Sequence, residues 1–246
     1  MKLKKVLSIL VALGIFAAFF LLSLNRLGLE LDFSFLWDFR IRLWQGFQWT
    51  VAISLVSLGL SLLIGVVSAV ANESKFLPIS YLSKIYVQFI RGTPMIMQVY
   101  LFFYIIGTAW GVTNRFFAGV IILSVFEGAY ISEIVRGGIQ SIEKTQLEAA
   151  KAVGYDEGQT RLYVVVPQVV KRILPALAGQ FASIIKDSSL LSLISVIEAT
   201  QTIREISSTN FAIFESYIFL GLLYLSLTFP LSMFTGYLER RFSYES

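Results

Sequence analysis

Charge is scarce in this chain, so the places where it interrupts apolar sequence are informative. Of 246 residues, 56% are hydrophobic and 15% are charged. Glu127 lies inside an otherwise uncharged run from Phe116 to Ser132. Eleven helical residues from Phe116 put it about 16 Å deep, near the centre of a hydrocarbon layer roughly 30 Å thick. Lys186 and Asp187 interrupt a second run, Leu174 to Ile197, at similar depth, and Ser188 and Ser189 follow. A carboxylate at mid-membrane must face a cavity or a partner and marks a functional site by default. Two roles are open for Glu127: it meets a solute, or it pairs with Lys186 and only ties the bundle together. Lys186 also has two, lining a wet path or snorkelling to the interface from a shifted helix end.

A different chemistry is written into residues 142–175, the longest polar segment. Thr145 with Glu148 has the spacing of a capping box, and Leu147 to Val153 continues as a helix. Gly154 stands where that helix would stop, since glycine tolerates a left-handed conformation. Asp156 with Gln159 repeats the start signal, and the second helix extends to Val166. Pro167 breaks the pattern, and Pro175 opens a new apolar run. The segment is a helix, a glycine turn and a second helix, held beside the membrane. Ala149 and Ala150 leave room for another surface. Read blandly, it is a solvated connection between two spans.

The elements that position these residues follow from the apolar runs. Val6 to Leu24 is an uncharged first run after Lys2, Lys4 and Lys5; its length favours a retained span over a cleaved signal. Asn25 to Gln45 is rich in aromatics suited to an interface. Gly46 to Ala71 is a second span, with Ser57, Ser61, Gly65 and Ala69 along one face, a spacing for close helix packing. Thr93 to Asn114 is a third, with a bend at Gly92 and Pro94. Phe116 to Ser132, Leu174 to Ile197 and Ser216 to Leu238 complete six, the last with a kink at Pro230. The fold class is therefore all-α, a polytopic membrane bundle of about six helices.

With both termini inside, fourteen basic residues fall inside and five outside, namely Arg26, Arg40, Arg42, Arg115 and Arg204. The positive-inside rule selects this orientation and puts 142–175 in the cytoplasm. The chain has no cysteine and no histidine. Disulfides, thiolate metal sites and histidine triads are thereby excluded. It also has no G-x-x-x-x-G-K-[ST] phosphate loop, so ATP-driven work would need another chain.

Four ordered motifs carry a resemblance. They are Arg91-Gly92-Thr93-Pro94; Gly128-Ala129-Tyr130 with Glu133 and Arg136; Glu148-Ala149-Ala150 with Gly154; and Lys186-Asp187-Ser188-Ser189-Leu190. From roughly Gly46 to Arg241 the chain resembles permease subunits of ATP-binding-cassette importers, in the polar amino-acid branch. The resemblance implies a five-helix importer core at 46–241, preceded by an extra membrane anchor and interfacial segment at 1–45. It implies that Leu147, Glu148, Ala149, Ala150 and Gly154 couple to a separate ATPase, which holds ATP and Mg; this chain itself would need no cofactor. It implies that Arg91, Gly92, Thr93 and Pro94 shape the cytoplasmic gate, and that Lys186, Asp187 and Ser188 line the pathway.

A second permease subunit, identical or similar, and an extracytoplasmic solute-binding protein are the further implied partners, in a bacterial plasma membrane. Family neighbours usually carry a small hydroxyl residue where this chain has Glu127. That departure makes a basic amino acid plausible as the substrate. Two rival classes are a secondary transporter or channel using Glu127, Lys186 and Asp187 as a proton relay, and a membrane enzyme. The first has no use for a capped cytoplasmic helix pair; the second lacks a nucleophile with a base and an orienting group.

Overall fold

The computed structural model describes residues 2–26, 28 and 31–242. The chain separates into two compact units, Met1–Asp38 and Phe39–Ser246. The first contains α1, Lys2–Arg26, and the single turn α2, Phe35–Asp38. Position 45 falls inside α3, Arg40–Asn72, which belongs to the larger unit.

Every regular element in the described residues of the larger unit is a helix. After α3 come α4 (Leu77–Gly92), α5 (Met95–Tyr100) with a π-helical extension Leu101–Gly107, and α6 (Arg115–Gln140). Then follow α7 (Lys144–Ala152), α8 (Glu157–Gln159) with a π-helical segment Thr160–Val165, and α9 (Val166–Asp187). A 3-10 turn, Ser188–Ile194, leads to α10 (Ala199–Asn210) and α11 (Ile213–Phe242).

Among the described residues, four helical stretches are long and apolar enough to cross a membrane: Arg40–Asn72, Arg115–Gln140, Glu157–Ile194 and Ile213–Phe242. The pair Leu77–Gly92 and Met95–Gly107 meets the same test only when taken together, and is bent by 113° at the Thr93-Pro94 break. The apolar part of α1, Leu10–Arg26, is shorter.

The α6 helix is the centre of the bundle. It packs against α3, α4 and α9. Its contact with α3 is close because the facing residues are small: Ser57, Ser61, Gly65 and Ala69 are all buried. A Cβ placed on Gly65 would stand 2.5 Å from Ile131 Cγ2 of α6, so only glycine permits this separation. The spacing seen in the sequence thus serves packing within the subunit.

Hydroxyls join the same helices. Ser68 Oγ and Ser83 Oγ are 2.8 Å apart, Ser83 also donates to Ser68 O at 2.7 Å, and Ser132 Oγ reaches Ser68 Oγ at 3.1 Å. In an apolar surrounding such bonds fix which helix faces which. Tyr86 of α4 donates to Val125 O of α6 at 2.6 Å.

Two local expectations are corrected. Pro167 does not end a helix, and Pro175 does not open one. The chain is helical from Glu157 through Asp187, with Pro167 in the first turn of α9 and Pro175 inside it. The π-helical turn immediately before Pro167 changes the local backbone pairing where the proline has no N–H to give. Nor does Thr145 cap α7. That helix starts at Lys144 after Glu143, which makes no side-chain cap, and the Thr145 hydroxyl donates to Glu143 Oε2 at 3.1 Å instead.

Candidate functional site: a buried carboxyl, a bent helix and an exposed loop

Burial of Glu127 is complete. Its position is set by α6, whose neighbouring residues Phe126, Gly128 and Ala129 are also buried. The ion pair with Lys186 is not formed. Instead Gln180 of α9 donates its side-chain amide to Glu127 Oε2, while Oε1 has no hydrogen-bond partner. Lys186 is exposed at the last turn of α9, because the helix stops at Asp187 and the chain turns away in 3-10 geometry. Asp187 lies close enough to Glu127 for a contact between the two carboxyl groups, and Lys186 is within electrostatic reach. Ser188 is buried, and its hydroxyl donates to Ile185 O at 2.7 Å. One oxygen of a fully buried carboxyl is thus left open. A buried acceptor in that condition carries a desolvation cost of about 1–3 kcal/mol until a donor arrives.

The Arg91-Gly92-Thr93-Pro94 segment is the break between α4 and α5. Thr93 and Pro94 are extended, with ψ of 148° and 138°. Proline cannot donate backward, and the residue before it avoids helical geometry, so the chain restarts at Met95. Buried Gln98 ties the break together. Its Nε2 lies 2.7 Å from Ile90 O, 3.1 Å from Thr93 O and 2.8 Å from Thr93 Oγ1. Arg91 projects from the same corner to Glu133 of α6, Nη1 to Oε2 at 3.0 Å. Arg136 grips the same carboxylate from one turn on, Nε to Oε1 at 2.7 Å and Nη2 to Oε2 at 2.8 Å. Two motifs far apart in sequence therefore meet in one ionic cluster.

In the polar loop, α7 divides its residues between two surfaces. Leu147 packs against the cluster of Ala69, Ile131, Val135, Ile142, Val169 and Ile173, and Ala150 is buried. Glu148 and Ala149 are exposed. Gly154 has φ +86°, the left-handed position that closes the helix, and its N–H meets Lys151 O at 3.0 Å. Asp156 and Gln159 form the expected capping box, with bonds of 2.8 and 3.0 Å. Arg172 of α9 donates to Ser141 O, holding the loop's beginning to the bundle. Val153, Leu162 and Tyr163 are exposed beside it.

Glu198 went unnoticed in the sequence. It is fully buried at the start of α10. Oε1 accepts from Gln201 N at 2.7 Å; Oε2 accepts from Thr200 N at 2.8 Å and from the Tyr224 hydroxyl at 2.9 Å. Burial pushes its carboxyl up to about 7, against the pull of those donors. Glutamate is not a usual N-cap, so no signature announced it.

This architecture has known counterparts. Residues 61–244 match the family described as binding-protein-dependent transport system inner membrane component. The chain belongs to that family. Its relatives place it in the amino-acid branch of ABC transporter permeases. A probable glutamine ABC transporter permease, GlnM of Bacillus subtilis (strain 168), is 36% identical over 197 residues, 80% of this chain and 91% of that one. The glutamine transport system permease GlnP of Escherichia coli (strain K12) is 33% identical, covering 87% of this chain and 98% of its own length. Among solved structures, an amino acid ABC transporter with histidines aligns at a TM-score of 0.80 and 31% identity, over 87% of this chain and 100% of that chain. The inward-facing MetNI methionine ABC transporter aligns at 0.65 with 16% identity, over 82% and 98%, a likeness of fold.

Proposed function

We propose that this permease forms the solute pathway of an ATP-driven importer for polar amino acids, and that a basic amino acid is among its substrates. The open Oε1 of Glu127 carries the reading of substrate charge. It sits at mid-depth beside Asp187, where an ammonium or guanidinium group would supply the missing donor. Gln180 holds the other oxygen and so fixes the carboxyl's direction. Ser188 and the end of α9 form the adjoining wall; Lys186, exposed at the same place, faces the substrate carboxylate. The relatives' stated substrates, glutamine and L-cystine among them, support an amino-acid class.

The exposed edge of α7 supports coupling. Glu148 and Ala149 face outward, while Leu147 and Ala150 fasten the helix to the bundle. A push on that edge passes into α6 and α9 through packed side chains. The pusher is a separate ATPase subunit that binds ATP and Mg in the cytoplasm, where both termini of this chain lie. A second permease subunit completes the pathway, and an extracytoplasmic binding protein delivers the solute. The ionic cluster of Arg91, Glu133 and Arg136 stiffens the α4–α5 corner at the inner gate.

The test is co-purification with an ATPase subunit, then ATP hydrolysis in proteoliposomes with and without Glu148→Arg. Hydrolysis stimulated by loaded binding protein, and lost in Glu148→Arg while the complex still folds, supports the reading. Transport by the chain alone, driven by a proton gradient, overturns it.

A further inference from the structure

The corner between α3, α4 and α6 forms an open cavity of about 620 Å³ to which the transport reading gives no ligand. Its wall includes Asn72, Lys84, Gln88, Arg91, Glu133 and Arg136. Three cations therefore face one carboxylate. Glu133 is already shared by both guanidiniums. Arg91 spends on it one of the five N–H groups a guanidinium carries. Lys84 forms no salt bridge among the described residues; its ammonium stands 5.4 Å from the centre of the Tyr81 ring. The cavity thus has a net positive charge, free donors on Lys84 and Arg91, and neutral donors on Asn72 and Gln88. An anion fits this set better than a zwitterion, because the one acidic group of the lining, Glu133, is saturated and Glu73 acts on Arg136, so Lys84 and the free donors of Arg91 are left over.

Depth identifies the anion. From Arg115 to Arg136, α6 rises about 32 Å, the thickness of the hydrocarbon core. The cavity therefore opens at the level of the lipid headgroups, on the end of the bundle that carries the polar loop. Beside it α4 exposes Leu77, Ile79, Leu82, Ile85 and Phe89. A helix with an apolar outer face and basic side chains next to it suits the membrane interface.

We infer that the cavity at Lys84, Arg91 and Arg136 binds a phosphate-bearing anion, and that its occupant is the headgroup of an anionic phospholipid whose chains lie along α4. The phosphate sits between Lys84 and Arg91, with Gln88 and Asn72 hydrogen-bonding the remaining oxygens or the glycerol. Binding at this corner braces the α4–α5 break.

The full chain, purified with the subunits that accompany it, is examined by native mass spectrometry in phosphatidylglycerol, in phosphatidylcholine, and with inorganic phosphate added. Preferential retention of phosphatidylglycerol is expected. Lys84→Gln should weaken it about ten-fold or more, the worth of a hydrogen bond to a charged group. Lys75→Gln, which removes a charge from the neighbouring loop and not from the cavity, should cost no more than the general surface attraction of one cation, a clearly smaller loss. Lys84 makes only a ring contact, so the variant keeps its fold, checked by circular dichroism; Lys84→Glu should lower retention further. If inorganic phosphate binds and displaces the lipid, and Lys84→Gln abolishes both, the phosphate site stands with a soluble occupant. Equal retention of both lipids with no binding of phosphate, or an equal loss in Lys75→Gln, overturns the inference.

Discussion

Glu127 and Glu198 are both fully buried carboxyls, yet their surroundings differ. Glu198 is saturated: two backbone N–H groups and a tyrosine hydroxyl occupy its oxygens. It closes the start of α10 and fastens it to α11. Glu127 has one donor, Gln180, and an oxygen with none. Burial alone therefore does not mark a binding site. What separates the two is unfilled hydrogen-bonding capacity: Glu198 fits a structural role, and the proposed transport role rests on the open oxygen of Glu127.

Substitutions test this contrast. The largest effect is expected for Glu127→Gln, which should reduce uptake in proteoliposomes about 10- to 100-fold, the worth of a hydrogen bond to a charged group. Its melting temperature should hold or rise, because an under-satisfied acceptor is replaced by a neutral amide. Glu198→Ala should do the reverse. Loss of its bonds should cost about 2–3 kcal/mol of stability, read by thermal melting in detergent, while uptake per folded molecule persists. Tyr224→Phe removes one of those donors and should cost about 0.5–1.5 kcal/mol.

A smaller, graded effect is expected from pH. The folded Glu198 carboxyl titrates near 7, above its ordinary value of 4.5. A raised carboxyl favours the protonated form, so its contribution is complete below the ordinary value and lost as pH rises through the folded one. The melting temperature should fall as pH rises from about 5 to about 8, and Glu198→Gln should flatten that part of the profile.

The contrast was only half legible in the sequence. Long uncharged runs declared the spans, because lipid tolerates little else, and the bend at Thr93-Pro94 followed from proline's missing donor. Counting 1.5 Å per residue placed Glu127 at mid-depth without any fold. Its partner was not legible. Lys186 looked right by charge and depth, but α9 ends at Asp187 and leaves the lysine exposed, while Gln180 lies two turns earlier. A lone glutamine in an apolar helix carries no signature. Glu198 was hidden for a related reason: it stood in a stretch that read only as a polar connection, and its partner Tyr224 is 26 residues away. The loop was the clearest part chemically. Even there, local signals named Asp156 correctly and Thr145 wrongly, since a capping box needs the helix to begin where the hydroxyl stands.

In the proposed pathway the open oxygen of Glu127 meets the cationic part of the solute. The most direct measurement is uptake of arginine and of glutamine by the reconstituted complex, wild type against Glu127→Gln, with Glu198→Gln as the buried control. Glu127→Gln should lose arginine uptake far more than glutamine uptake, and Glu198→Gln should leave their ratio unchanged. An unchanged ratio in Glu127→Gln, or a shifted one in Glu198→Gln, would contradict it.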